Sequence, residues 1–216
     1  MSTEIPLIMR TAGWVQVFPA IALLAKRNRS RPVLWIAGGA LISFLGNYLG
    51  VLVANRTGNN HAVTGIFGAL MTVPILWGLA EWQVTFVERL TARLFILPFL
   101  GTYAVLMLFV EDTTTFSSFT GPLYALTILG AATWTLLRRA FYSSTPISHT
   151  DWFWVAGGLA LYGATTAVAQ PIGAVLMADH RIDLLTRVWE LRAGFVDLSF
   201  FAVVAGILTP PDPLHA

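Results

Sequence analysis

The sequence predicts an all-α, polytopic membrane protein of about seven transmembrane helices, and three observations carry that reading. Of 216 residues, 56% are hydrophobic and only 11% are charged, where an average soluble domain carries roughly a quarter charged residues. Mean hydropathy is +0.70. The apolar residues are also gathered into runs long enough to cross a bilayer, about twenty residues rising ~1.5 Å each through a ~30 Å hydrocarbon layer. This composition excludes disorder, coiled coil and collagen. The absence of cysteine excludes a disulfide-stapled module, thiolate nucleophiles, iron–sulfur clusters and any cysteine-ligated metal.

The spans follow in order. Residues 5–25 form the first, interrupted by Arg10 and Gln16; an interfacial helix or a re-entrant segment fits the same residues. A cleaved signal peptide fits them poorly, because the basic cluster follows the apolar stretch. Residues 32–54, 62–80, 94–110, 122–137 and 153–178 contain no charge at all. The last span, 188–208, contains Glu190, Arg192 and Asp197. Connections between them are short, so residues 1–216 are read as one transmembrane domain.

Basic residues set the expected orientation. Lys26, Arg27, Arg29 and Arg31 crowd the first loop, Arg89 and Arg93 the third, Arg138 and Arg139 the fifth. Those alternate loops hold eight of the thirteen Lys and Arg, so the positive-inside bias predicts a cytoplasmic C-terminus and an N-terminus outside. The expected location is a bacterial cytoplasmic membrane. Trp14, Trp35, Trp77, Trp82, Trp152, Trp154 and Trp189 lie toward predicted span ends, where an indole can be half wet.

Among the loops, Lys26, Arg27, Arg29 and Arg31 could grip acidic lipid head groups or serve only as a topology signal. Residues 81–93 read as extensions of spans three and four, with a surface helix as the alternative. Asn59, Asn60 and His61 fit a tight turn, and a binding role is the other reading.

Ionisable and amide groups inside the membrane need a reason. Asp197 lies close to the middle of the last span. Asp183, Arg187, Glu190 and Asp197 fall on one helical face, either as a polar path toward the centre or as a wet rim with one buried carboxyl hydrogen bond. Asn47, between Gly46 and Gly50, suits an interhelical amide bond. Gln170 precedes Pro171, whose missing N–H frees a carbonyl and kinks span six, either lining a cavity or as a purely structural feature. Asp197, Glu190, Gln170 and Asn47 are therefore the candidate polar-core residues.

Seven spans with an outside N-terminus resemble the layout of microbial rhodopsins, and Asp197-Leu-Ser-Phe-Phe201 keeps the Asp of that family's Asp-x-x-x-Lys. Phe201 stands where the lysine belongs, and Lys26 is the one lysine in the chain, so no covalent retinal is expected. The stretch from Ser43 to Ala69 is also similar to a group of uncharacterised bacterial multi-span proteins. Enzymatic signatures are missing: His61, His149, His180 and His215 have no metal-site spacing, and no catalytic residue is assigned.

The leading functional expectation is a non-enzymatic sensory, ligand-binding or accessory subunit. It would bind a small or apolar ligand, a membrane protein partner or a second copy of itself, within the lipid bilayer and without nucleic acid. A small proton-linked transporter using Asp197 is the alternative. A lipid-modifying membrane enzyme is the second.

Overall fold

The computed structural model describes residues 7–26, 30–111, 118–143 and 146–210, with the side chains of Leu7 and Arg10 left aside. Arg27 and Arg29, two of the four candidate head-group ligands, lie outside the described residues. Among the described residues there is helix and no strand.

The first segment is α1 (Leu7–Trp14), a 3-10 turn over Val15–Val17 and α2 (Phe18–Ala25). The turn has a local cause. Pro19 has no N–H for the Val15 carbonyl, which accepts instead from the Phe18 N–H three residues on, and the rod tightens there.

Helix α3 (Arg31–Thr57) runs 27 residues, about 40 Å, and stops at Gly58, whose φ of +74° lets its N–H close onto the Ala54 carbonyl at 2.8 Å. Helix α4 (His61–Glu81) follows after two residues, and its Pro74 sits mid-helix. Helix α5 (Phe86–Leu94) opens on a capping box between Thr85 and Glu88. It continues through Phe95 into α6 (Ile96–Val105), which ends in a π turn over Leu106–Val110. Span four is therefore extended back to Phe86, as the sequence suggests.

Helix α7 (Thr120–Tyr142) begins where the Glu111 carboxylate accepts from the N–H groups of Phe119 and Thr120 and from the Thr120 hydroxyl, at 2.6, 2.9 and 2.5 Å. A 3-10 turn (Ile147–His149) leads into α8 (Asp151–Ala178), and α9 (Ile182–Leu208) closes the described chain.

Five stretches are long and apolar enough to cross a membrane: α3, α4, Phe86–Val110, α8 and α9. The first segment is broken, and its apolar part, Thr11–Ala25, is shorter. Helix α7 has the length, at 23 residues, but its last turns carry Arg138 and Arg139.

Successive packing closes a ring. Helix α3 lies on α4, α4 on α7, α7 on α8, α8 on α9, and α9 on the first segment, which returns to α3. Phe86–Val110 stands outside this ring, with 17% of its apolar window buried against 33–39% in the other four. The core holds Ile36, Leu79, Ile128, Val155, Leu159, Val196, Val203 and Ile207, all nearly inaccessible. Trp82 and Trp152 are also fully buried. They belong to the core and correct the expectation that they sit at the membrane interface.

One end of the ring is tied by polar contacts. Lys26 Nζ donates to the Thr209 carbonyl, and Ser30 Oγ donates to Asp151 Oδ2 at 2.9 Å. Burial pulls the Lys26 amine below the ordinary lysine range, with the Asp151 carboxylate opposing that shift. Lys26 thus fastens the first loop to the end of α9, whereas Arg31 is exposed.

Candidate functional site

A polar cavity of about 260 Å³ opens inside the ring, in the half nearer His61 and Ile182. Every ring element contributes. The first segment gives Gln16, α3 gives Ser43 and Asn47, the α3–α4 connection gives Asn60, and α4 gives His61, Thr64 and Met71. Helix α7 gives Tyr124, α8 gives Tyr162 and Gln170, and α9 gives Trp189 and Arg192.

Some of these groups satisfy one another. Asn47 Nδ2 donates to Gln16 Oε1 at 2.8 Å, and Gln16 Nε2 donates to the Ala12 carbonyl at 2.9 Å. The Thr64 hydroxyl donates to backbone carbonyls one turn back. Tyr162 Oη reaches Met71 Sδ at 3.9 Å. Others have no such partner: the side chains of Ser43, Asn60 and Gln170 make no hydrogen bond to another described residue. Gln170 is seated by Gly121, where a Cβ would come within 3.0 Å of its Cδ. An amide turned into a membrane-embedded space without a protein partner is stabilised only by what fills that space.

Arg192 is the strongest charge on this surface. Its Nη2 donates to Thr166 Oγ1 at 3.3 Å, its Cζ lies 5.0 Å from the Trp189 ring centroid, and its Nε is buried without a hydrogen bond. Among the described residues, no Asp or Glu lines the cavity.

Beside it lies a larger, mostly apolar groove of about 550 Å³ between the first segment, α3 and α9, walled by Met9, Ala12, Trp14, Phe44, Tyr48 and Val51. Gln16, Asn47, Asn60, Thr64, Trp189 and Arg192 line both spaces. The bonded Gln16–Asn47 pair therefore belongs to the wall between them.

Two of the four polar residues singled out from sequence, Asn47 and Gln170, meet in this cavity. Asp197 and Glu190 line neither space. Asp197 turns toward α1, where Thr11 Oγ1 donates to its Oδ2 at 3.0 Å, and its Oδ1 is buried without a partner. Sequence reasoning missed Gln16, Tyr124, Tyr162, Trp189 and Arg192. For Arg192 a usable signal existed: α9 begins at Ile182, six residues before the predicted span, so its midpoint is Phe195. Arg192 then lies about 4.5 Å from that midpoint along the axis, nearly as deep as Asp197.

Comparison with known proteins finds no relative: no family model, no curated protein and no solved structure matches this chain. The likeness in layout to microbial rhodopsins therefore assigns no fold. Among the described residues, no three His, Cys, Asp or Glu side chains gather in a group that could hold a metal ion. The cavity itself offers hydrogen-bond donors and acceptors from six directions, a guanidinium, and aromatic faces.

Proposed function

We propose that this is a non-enzymatic integral membrane protein, a sensory, ligand-binding or accessory subunit, that holds a small molecule in the cavity inside its helical ring. The ring together with the Phe86–Val110 helix beside it is read as a seven-span bundle, with the first segment and α7 crossing the membrane alongside the five apolar helices. Its N-terminus lies outside, the His61 end of the cavity faces the same side, and the membrane is the cytoplasmic membrane of a bacterium.

The observation that carries the reading is the convergence of Ser43, Asn60 and Gln170, three polar side chains without a hydrogen-bond partner among the described residues, on one cavity. Helix glue would bond such groups to each other, as Asn47 bonds to Gln16. Ligand pockets combine a largely preformed space with a few convergent polar groups, and this space has both. A proton-linked carrier would place its coupling carboxylate beside the solute, whereas Asp197 is held by Thr11 on the α1 side.

Native mass spectrometry tests this on protein purified from its own membranes. The wild type is expected to retain a stoichiometric small molecule. Ser43→Leu, which fills the cavity with apolar bulk, is expected to lose it while keeping the same unfolding temperature within a few degrees. Equal loads on the two proteins, or an empty wild type, defeat the reading.

A further inference from the structure

We infer that the ligand is a single-chain anionic amphiphile, its head on Arg192 in the polar cavity and its chain in the adjoining groove. This deepens the ligand-site reading of the cavity and rests on it.

The head-group assignment follows from charge. A guanidinium near the middle of a membrane-spanning helix is costly unless something neutralises it, and buried charges in proteins are normally paired. Arg192 has a hydroxyl from Thr166 and the face of Trp189, but no carboxylate among the described residues pairs with it. Its Nε–H is buried and unused. The planar fork of an arginine matches a carboxylate or phosphate through two parallel N–H bonds. The amides of Gln170 and Asn60 in the same cavity can donate to the remaining oxygens.

The chain assignment follows from the groove. Arg192 lines both spaces, so its guanidinium stands at their boundary, with the polar cavity on one side and the groove on the other. Met9, Trp14, Phe44 and Val51 offer that chain an apolar bed, with Trp14 and Phe44 rings 5.4 Å apart at its edge. A free anion would fill the first space and leave the second to lipid. A neutral lipid would fill the second and leave the guanidinium unpaired. An anionic amphiphile satisfies both.

Protein delipidated in a nonionic detergent is titrated with oleate, oleyl alcohol and acetate, and binding is read by native mass spectrometry and by the shift in unfolding temperature. Oleate is expected to bind at least tenfold more tightly than oleyl alcohol, and acetate not measurably. Arg192→Gln is expected to erase the preference for oleate over the alcohol without abolishing alcohol binding. Arg192→Lys retains part of it. Arg187→Gln, an exposed charge on the same helix, leaves it intact. Displacement of oleate by 1-oleoyl-lysophosphatidylglycerol supports the same chemistry with a single-chain phospholipid as its source; failure to displace supports a free fatty acid.

Equal affinity for oleate and oleyl alcohol in the wild type overturns the anionic head. Acetate binding as tight as oleate overturns the chain. An unchanged preference in Arg192→Gln overturns the residue. In each of those cases the cavity still binds something, and loss of that binding in Ser43→Leu keeps the ligand-site reading alive. Binding of none of the three probes overturns the amphiphile, and retention of a native small molecule by the wild type then decides the broader reading separately.

Discussion

Helix α8 carries two adjacent glycines with opposite surroundings, and they allow the packing that holds the cavity wall to be measured. A Cβ built on Gly157 meets nothing within 4 Å, whereas one on Gly158 would lie 2.5 Å from the Ser199 carbonyl oxygen, 3.1 Å from Val203 Cγ2 and 3.2 Å from Ala202 Cβ. The obstructing atom is α9 backbone, which cannot swing aside. Reaching ordinary contact at 3.4 Å requires the two helices to part by about 0.9 Å, the kind of overpacking that costs about 1–3 kcal/mol. Both substitutions gain the same helix propensity from replacing glycine with alanine, about 1 kcal/mol. Gly157→Ala is therefore expected to be neutral or stabilising. Subtracting one variant from the other removes the propensity contribution and leaves the packing cost. For a chain of this size, that difference is a gap of roughly 2–12 °C in unfolding temperature. Tryptophan fluorescence during thermal unfolding in detergent reads it directly. Equal unfolding temperatures, or a Gly158→Ala protein more stable than Gly157→Ala, would refute the close α8–α9 approach. With it would fall the placement of Arg192 beside Thr166, because those residues sit on the same two helices.

Two further outcomes are expected. The chain has no cysteine, so single cysteines report topology without background: a membrane-impermeant maleimide on intact cells should label Asn55→Cys and spare Ser148→Cys, and the reverse pattern would invert the proposed orientation. Asp197→Asn should keep the Thr11 hydrogen bond, change stability by no more than about 1 kcal/mol and leave the native ligand load untouched; loss of that load would return the carboxylate to the site.

Hydropathy made the helices legible and left their ends uncertain. Uncharged runs such as 32–54 and 62–80 located α3 and α4 to within a few residues, because lipid tolerates no unsatisfied backbone and a long apolar run has little alternative to helix. The same logic cut span seven short. It stopped at Val188, since Asp183 and Arg187 look unfit for hydrocarbon, yet both are exposed on the outer turns of a helix that continues past them. That misplaced end shifted the apparent centre of the helix and made Asp197 look singular. Depth and direction are also different quantities. Asn47 and Gln170 were recognisable by depth, but which of Asp197 and Arg192 faces the cavity depends on where α1 packs. Five positions separate them, about 140° around the helix, and sequence spacing gives that difference without saying which side is inside. The burial of Trp82 and Trp152 was illegible for a related reason. A tryptophan at a span end belongs to the interface only if no neighbouring helix covers it, and here the ring does.

The geometry of α9 gives its two deep charges separate duties. Asp197 holds the first segment through Thr11, and on the other side of that segment Gln16 accepts from Asn47 on α3. The broken rod of α1 and α2 is thus bonded on both flanks, at positions five residues apart that straddle the start of its 3-10 turn. Those two bonds fix the wall through which Gln16 looks into both the polar cavity and the apolar groove. Arg192, turned the other way, supplies the charge that the wall encloses. A carboxylate and a guanidinium this close along one helix could have neutralised each other, and instead about 140° of rotation keeps them apart. The arrangement leaves the guanidinium available to something that is not part of the chain. It also explains why Asn47, read from the sequence as helix glue, and Gln170, read as a candidate cavity residue, both belong to one site: the first builds its wall and the second faces its interior.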